Sequence, residues 1–165
     1  MDPAITDRHF RFLDWFDIDN ACLSLYSQMK ANNYAPDCII ALLRGGVIPA
    51  RILADYFGIS IDFFAIDVKL YDKIGVQKEE PIIKYLFKKS ELKGNILVVD
   101  DIFESGKTMN AVLDQLIGKN VTTATLFWKE TATQKPNYYA EVAKEKEWIV
   151  FVWEMYEFKR EVNEK

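Results

Sequence analysis

The chain has 165 residues, of which 50% are hydrophobic and 14% aromatic, and its formal net charge is −4. This length and composition suit a single ordered domain over residues 1–165 and exclude a disordered chain. The acidic balance argues against a nucleic-acid partner, and two cysteines with one histidine are too few for a zinc site built by the protein. The charged N-terminus and the lack of a long apolar run predict a cytoplasmic protein with no membrane partner.

Hydrophobic periodicity predicts an alternation of helices and strands along the chain. Residues 17–33 carry apolar side chains on one helical face, with Asp17 or Asp19 as the N-cap. Short continuous apolar runs at 38–43 and 95–99 predict strands buried on both faces. In chain order the predicted elements are a helix over 17–33, a strand over 38–43, a helix over 47–57, a strand over 59–68, a strand over 95–99, a helix over 107–117 and strands over 122–128 and 148–153.

This alternation predicts an α/β fold with a mostly parallel twisted sheet and helices on both of its faces. Residues 71–80 are polar and charged, and Pro81 blocks helical continuation, so we expect a mobile loop there. In sheets of this kind, ligands bind beyond the carboxyl ends of the strands. The expected site therefore follows Leu43, Val68, Val99 and Trp128.

Residues 96–108, with the sequence ILVVDDIFESGKT, combine a predicted strand with two acids and a small polar turn. Backbone N–H groups and the hydroxyls of Ser105 and Thr108 at the start of a helix suit a phosphate group. Repulsion between Asp100 and Asp101 is relieved by a divalent cation or by donors such as sugar hydroxyls. Ribose and phosphate together satisfy the whole segment. The alternative, solvated loop acids beside an ordinary turn and helix cap, leaves their combination to chance.

Two other nucleotide-binding motifs compete with this interpretation. Gly106-Lys107-Thr108 resembles the end of a nucleotide-hydrolase P-loop, but the position five residues before Gly106 is Asp101, where that motif requires glycine. An acid at that position would face the phosphate that the loop should hold. The GxGxxG fingerprint of dinucleotide-binding folds is absent from the sequence. Both motifs are therefore excluded.

The segment from Val98 to Thr108 resembles the phosphoribosyl-diphosphate signature of the type I phosphoribosyltransferases. Residues 36–46 resemble the pyrophosphate loop of the same family, in which Arg44 meets the diphosphate and the glycine pair lets the backbone approach an anion. The likeness also implies a non-proline cis peptide joining Leu43 to Arg44. The implied contacts of phosphoribosyl diphosphate are Arg44, Gly45, Lys78, Asp100, Asp101, Ser105, Gly106, Lys107 and Thr108.

The region from about residue 129 to residue 165 is similar to the small C-terminal base-binding hood of the xanthine-guanine and hypoxanthine-guanine members. By this likeness Lys129 donates to the purine 6-oxo group, Trp148 stacks on the ring, and the Ile149 backbone pairs with the base edge. An ordinary core aromatic in a strand is the alternative for Trp148. The implied ligands of the cofactor Mg²⁺ are Asp100, Asp101 and Glu154.

Several positions depart from the family pattern. Glu104 stands where most relatives have the aspartate that handles the purine N7 proton, so the resemblance makes it the catalytic residue, with a longer side chain. The predicted loop over 71–80 would close over the site and bring Lys78 to the diphosphate. Oligomers are usual in the family, so we expect a homodimer or homotetramer. The aromatic segment 10–16 is then either its interface or a cap on the core.

The resemblance implies purine salvage: the phosphoribosyl group of phosphoribosyl diphosphate is transferred to N9 of guanine, xanthine or hypoxanthine, and pyrophosphate is released. The implied partners are therefore phosphoribosyl diphosphate and a 6-oxopurine. One alternative is a regulatory protein of this fold that senses nucleotides or binds RNA, although the acidic composition counts against RNA. Another is a transferase for adenine or a pyrimidine, against which Lys129 and Trp148 count.

Overall fold

The computed structural model describes residues 9–58, 60–73, 76–85 and 87–163, with the backbone alone at residues 69–73, 76–82, 85 and 161–163. In chain order its elements are β1 (His9–Phe12), α1 (Trp15–Ala31), β2 (Cys38–Leu43), α2 (Val47–Phe57), β3 (Asp62–Lys73), β4 (Val76–Tyr85), β5 (Asn95–Phe103), α3 (Lys107–Gln115), β6 (Asn120–Lys129), β7 (Tyr138–Ala143), β8 (Glu147–Val150) and α4 (Met155–Asn163). Two short 3-10 turns cover Lys89–Glu91 and Val152–Glu154. No described helix is both long and apolar enough to cross a membrane.

Six strands form one sheet in the order β4-β3-β2-β5-β6-β7, and every neighbouring pair is parallel except β3 and β4. Alternate residues of the central strands lie on opposite faces. Ile39 and Ala41 of β2 join the apolar cluster with α1 and α2, whereas Ile40 and Leu42 join the cluster with α3. Burial on both faces explains why β2 is a continuous apolar run in the sequence. The predicted α/β class, with helices on both faces of a mostly parallel sheet, is confirmed.

The first helix starts earlier than its apolar periodicity suggests. Its N-cap is Asp14, so the prediction of Asp17 or Asp19 as the cap is wrong. The Asp17 N–H donates to Asp14 Oδ1 and the Asp14 N–H donates to Asp17 Oδ2, each at 2.9 Å. This reciprocal capping box satisfies two N–H groups that the helix itself leaves unpaired, and it draws Trp15 and Phe16 into the first turn.

Residues 71–73 and 76–80 are strand rather than loop, because they belong to the hairpin of β3 and β4. The pairing of β2 with β3 ends at Leu43↔Asp67, so beyond Asp67 the strand β3 pairs only with β4. The first pair beyond that point, Val68 and Ile83, still packs against the apolar cluster that contains α3 residues. Pro81 is tolerated because β4 is an edge strand. Movement of the hairpin stays a prediction, and the Lys78 side chain lies outside the described residues.

A second, two-stranded sheet joins the beginning of the described chain to its C-terminal part. β1 pairs in parallel with β8, and Phe10 lies opposite Trp148. The predicted strand over 148–153 therefore ends early, at Val150, and gives way to the turn at Val152–Glu154 and then to α4. Neither β1, β7 nor α4 was predicted from the periodicity. Residues of β8, of the turn at Val152–Glu154 and of α4 line the cavities described next.

Candidate active site

A cleft of about 710 Å³ opens at the carboxyl ends of β2 and β5, where ligands bind in folds of this class. The two strands are parallel neighbours, paired from Cys38↔Ile96 to Ala41↔Val99, so the loops that follow them face each other. Many residues predicted for the site line this cleft, namely Arg44, Gly45, Asp100, Asp101, Glu104, Ser105, Gly106, Lys107, Thr108 and Glu154.

The acid pair lies near the end of β5. Asp100 is half-buried, and Asp101 is only 8% exposed. Burial raises the pKa of both carboxyls, and repulsion from Asp101 raises the pKa of Asp100 further. Main-chain donors offset part of this cost, since the Asp101 N–H donates to Asp100 Oδ1 at 3.0 Å and the Ile102 N–H donates to Asp101 Oδ1 at 2.8 Å. A cation or sugar hydroxyls in the cleft would relieve the rest.

The loop after β2 packs directly against the acid pair. A Cβ atom at Gly45 would lie 1.7 Å from Asp101 Oδ2, so any other residue there would displace the Asp101 carboxylate. The peptide bond between Leu43 and Arg44 is cis, as the family resemblance implies. The Arg44 side chain is 87% exposed, and its Nη2 lies 3.6 Å from Oε2 of Glu157 in α4. The cleft thus presents a guanidinium group whose present partner is a solvent-exposed carboxylate.

The turn over residues 104–106 connects β5 to α3. Gly106 has a φ of 76°, a left-handed conformation that glycine adopts without steric cost. The Lys107 N–H donates to Ser105 Oγ at 3.4 Å, and the side chains of Glu104 and Ser105 are exposed. The first residues of α3 line the cleft. Because the first N–H groups of a helix have no intrahelical partner, this turn suits an anion.

A smaller cavity of about 150 Å³ adjoins the cleft. It is lined by the three residues predicted to bind a purine, Lys129, Trp148 and Ile149. The side chain of Phe151 completes its wall. Both cavities are lined by Asp101, Ile102, Glu104 and Glu154, so the two spaces meet at these residues.

Lys129 occupies the end of β6 and is only 6% exposed. Its Nζ donates to the carbonyl oxygens of Lys144 at 3.2 Å, of Glu145 at 3.1 Å, and of Glu147. An ammonium group has three N–H donors, so main-chain carbonyls take all three. The buried charge is therefore stabilised by the turn that leads into β8.

Glu154 stands where the two cavities meet. Burial, and then the nearby Asp101 carboxylate, raises the pKa of its carboxyl to about 7. The adjacent Trp153 indole N–H is buried and close enough to lower the pKa of Asp101, but it has no partner at hydrogen-bonding geometry among the described residues. This corner of the site therefore contains several acidic groups and one buried indole N–H that is available as a donor.

Trp153 and Glu157 are among the cleft residues that sequence reasoning did not assign to the site. Glu154 ends the 3-10 turn, and Glu157 follows three residues later in the first turn of α4. That spacing is visible in the sequence, but it becomes informative only once α4 is recognised as a helix. Trp153 gave no signal of its own, because a tryptophan after a buried strand is usually a core residue.

Comparison with known proteins agrees with this geometry. The phosphoribosyl transferase domain family matches residues 12–158, and the chain belongs to this family. The xanthine-guanine phosphoribosyltransferase of Cereibacter sphaeroides is 30% identical over 127 residues, which cover 75% of this chain and 72% of that protein.

Two solved structures share the fold. A xanthine-guanine-hypoxanthine phosphoribosyltransferase of Helicobacter pylori is 26% identical, with a TM-score of 0.76, and the match covers 93% of this chain and 99% of that one. A purine phosphoribosyltransferase from Pyrococcus horikoshii is 33% identical, with a TM-score of 0.71, and the match covers 87% of this chain and 93% of that one. The likeness therefore extends over nearly the whole fold.

Proposed function

We propose that this protein is a purine salvage enzyme that transfers the phosphoribosyl group of phosphoribosyl diphosphate to N9 of a 6-oxopurine and releases pyrophosphate. The observation that carries the proposal is the meeting of two cavities at Asp101, Glu104 and Glu154. The larger has the acids and anion-binding turn that suit a phosphorylated sugar, and the smaller has an indole ring. The names of the relatives, all purine phosphoribosyltransferases, support the same reaction.

In this proposal the larger cavity binds phosphoribosyl diphosphate. Arg44 and the backbone at Gly45 contact the diphosphate, and residues 105–108 contact the phosphate on the sugar through N–H groups and hydroxyls. The carboxylates of Asp100 and Asp101 accept hydrogen bonds from the ribose hydroxyls. These hydrogen bonds relieve the repulsion between the two acids. The repulsion in the free site therefore favours substrate binding.

Mg²⁺ fits the oxygen donors of this cleft. This ion is usually held by one or two carboxylates together with substrate phosphates and water. Asp100, Asp101 and Glu154 offer such carboxylates, but no three acidic, histidine or cysteine side chains among the described residues are grouped closely enough to hold a metal alone. This supports an ion that arrives with the diphosphate. When bound, it neutralises charge on the departing pyrophosphate.

The proposed reaction is a displacement at ribose C1. The bond from purine N9 to C1 forms as the bond from C1 to the pyrophosphate oxygen breaks, and the pyrophosphate leaves with the electron pair. Arg44 and the neighbouring amides stabilise its growing negative charge. Glu104 lines both cavities, and in this proposal its carboxylate accepts the proton that the purine loses at N7.

The smaller cavity selects the base in this proposal. Trp148 offers an indole face for stacking, and the Ile149 backbone offers one N–H and one carbonyl to the base edge. Lys129 supplies a cation for the 6-oxo group. A 6-amino group, as in adenine, cannot accept from an ammonium group, so 6-oxopurines are favoured.

The function is tested by incubating the purified protein with Mg²⁺, phosphoribosyl diphosphate and each of guanine, xanthine, hypoxanthine, adenine and uracil, and by measuring nucleotide formation. We expect turnover of 6-oxopurines by the wild type and its loss in Asp101→Asn. The matched control is Asp114→Asn, which makes the same change at an exposed position of α3 outside both cavities. Turnover of adenine or uracil alone would overturn the assignment of the base site.

We also propose that the protein is a homodimer or homotetramer. Exposed aromatic side chains support this, since Phe12, Trp15 and Phe16 are exposed at 51%, 57% and 73%. Exposed apolar clusters of this kind often mark contacts between subunits. Light scattering coupled to size-exclusion chromatography measures the mass in solution, and Phe16→Ser should lower it. A monomeric wild type would contradict the proposal.

A further inference from the structure

The Lys129 ammonium is held by the turn that joins β7 to β8. All three of its N–H groups are donated to main-chain carbonyls, those of Lys144, Glu145 and Glu147. The turn contains no apolar residue between Ala143 and Trp148, and Lys144, Glu145 and Lys146 are exposed. The position of this turn therefore depends on hydrogen bonds rather than on apolar burial, and Lys129 provides more of them than any other described side chain.

The turn is the direct support of the base-binding residues. β8 begins at Glu147, so Trp148 and Ile149 follow the last clamped carbonyl without an intervening residue. Two further bonds fix the turn from outside: the Glu145 N–H donates to Glu130 Oε1 at 3.0 Å, and the His9 N–H donates to the Lys146 carbonyl at 2.8 Å. A change in the clamp thus reaches the wall of the small cavity directly.

One of the three carbonyls can be released at lower cost than the others. The Lys144 carbonyl also accepts from the Glu147 N–H at 3.1 Å, so it keeps a partner when Lys129 withdraws. It also makes the longest of the three bonds to Nζ, at 3.2 Å. An acceptor that retains one hydrogen bond avoids the penalty of an unsatisfied buried group.

We propose that Lys129 is a shared donor: it clamps the turn in the free protein, and when the base binds, one of its N–H groups donates a hydrogen bond to the 6-oxo group instead of to the Lys144 carbonyl. The other two carbonyls stay bound, so the ammonium positions Trp148 and Ile149 while it contacts the base. The identity of the base rests on the function proposed above, whereas the clamp itself does not. Binding of the base then changes the hydrogen bonds of the turn, and the order of the turn affects the affinity for the base.

The test combines hydrogen exchange in the free protein with steady-state kinetics for wild type, Lys129→Met and Lys129→Arg. Lys119→Met is the matched control, because Lys119 also donates to a main-chain carbonyl, that of Leu92, outside both cavities. We expect Lys129→Met to speed exchange of the amides of residues 144–149 by at least about tenfold, the factor for loss of a charged hydrogen bond. The same variant should raise KM for guanine by a similar factor and leave KM for phosphoribosyl diphosphate within about twofold. Lys129→Arg should restore slow exchange in part.

Two results would overturn the proposal. A raised KM for guanine with unchanged exchange would make Lys129 a base contact that does not hold the turn. Faster exchange with an unchanged KM would make it a structural clamp with no part in recognition. If the wild type turns over no base at all, the proposed function and the change of hydrogen-bond acceptor both fail, and exchange in the free protein still decides whether Lys129 holds the turn.

Discussion

Replacing Glu154 by glutamine should stabilise the free protein at alkaline pH. Burial, and then the nearby Asp101 carboxylate, raises the pKa of Glu154 from its ordinary value of 4.5 to about 7. The folded protein therefore holds this proton more tightly than the unfolded chain does. Stability falls as pH rises between these two pKa values, and above pH 7 the folded state bears the full cost of the charge. Glutamine carries no charge and removes that cost.

The size of the effect follows from the difference between the two pKa values. At about 1.36 kcal/mol per pKa unit, the upper bound is about 3 kcal/mol, and water at this partly exposed carboxyl reduces it to about 1–2 kcal/mol. For a chain of this size, such a gain corresponds to a rise in Tm of about 2–8 °C. The gain should vanish near pH 4.5, where the wild-type carboxyl is protonated in the folded state.

Differential scanning calorimetry at pH 5 and pH 8, without Mg²⁺ or phosphoribosyl diphosphate, measures this difference. Glu157→Gln is the matched control, because it makes the same change three residues along; it removes the exposed pair with Arg44, worth less than about 1 kcal/mol, and a minor repulsion with Glu154. It should lower Tm slightly or leave it unchanged. A Glu154→Gln variant with no gain at pH 8, or with an equal gain at both pH values, would refute the reasoning.

Three further changes probe the site and the core. Gly45→Ala places a Cβ 1.7 Å from Asp101 Oδ2, so kcat/KM for phosphoribosyl diphosphate should fall about ten- to a hundredfold; an unchanged value would show that the Asp101 carboxylate moves aside without loss of function. Asp14→Ala removes the capping box and should lower the free energy of unfolding in urea by about 0.5–2 kcal/mol, whereas exposed Asn20→Ala should change it by less than about 0.5 kcal/mol. Phe127→Ala empties a fully buried position, and a cost below about 3 kcal/mol in the same titration would contradict its packing.

Elements that bury apolar side chains on both faces were predictable from the sequence, whereas short or largely exposed strands were not. β2 and β5 are buried on both faces, so their apolar runs are long and unambiguous. β7 is the opposite case: at the edge of the sheet and with most of its residues partly or fully exposed, it carries no alternating pattern. The four-residue β1 is too short to show a period, and its partner β8 lies far away along the chain.

The candidate site divides in the same way. The acid pair, the turn and the start of α3 are contiguous in the sequence, so Asp100, Asp101 and Gly106 were recognisable together. The carbonyl partners of Lys129 and the pairing of Arg44 with Glu157 arise only when distant segments meet. Every residue has a main-chain carbonyl, so a sequence motif cannot reveal contacts that are made through carbonyls.

The small sheet of β1 and β8 can form only late in synthesis, because its two strands lie far apart along the chain. A ribosome releases β1 early, but its partner strand follows only after β7, so this pairing has to wait for almost the whole described chain. β2, β5 and the turn over residues 104–106, which carry the acid pair and the anion-binding N–H groups, all precede Lys119 and can assemble sooner. The proposed base-binding cavity is thus completed late in synthesis. The same separation along the chain lets mutations near β8 change the preference for a nucleobase without altering β2, β5 and the turn that form the proposed sugar-phosphate site.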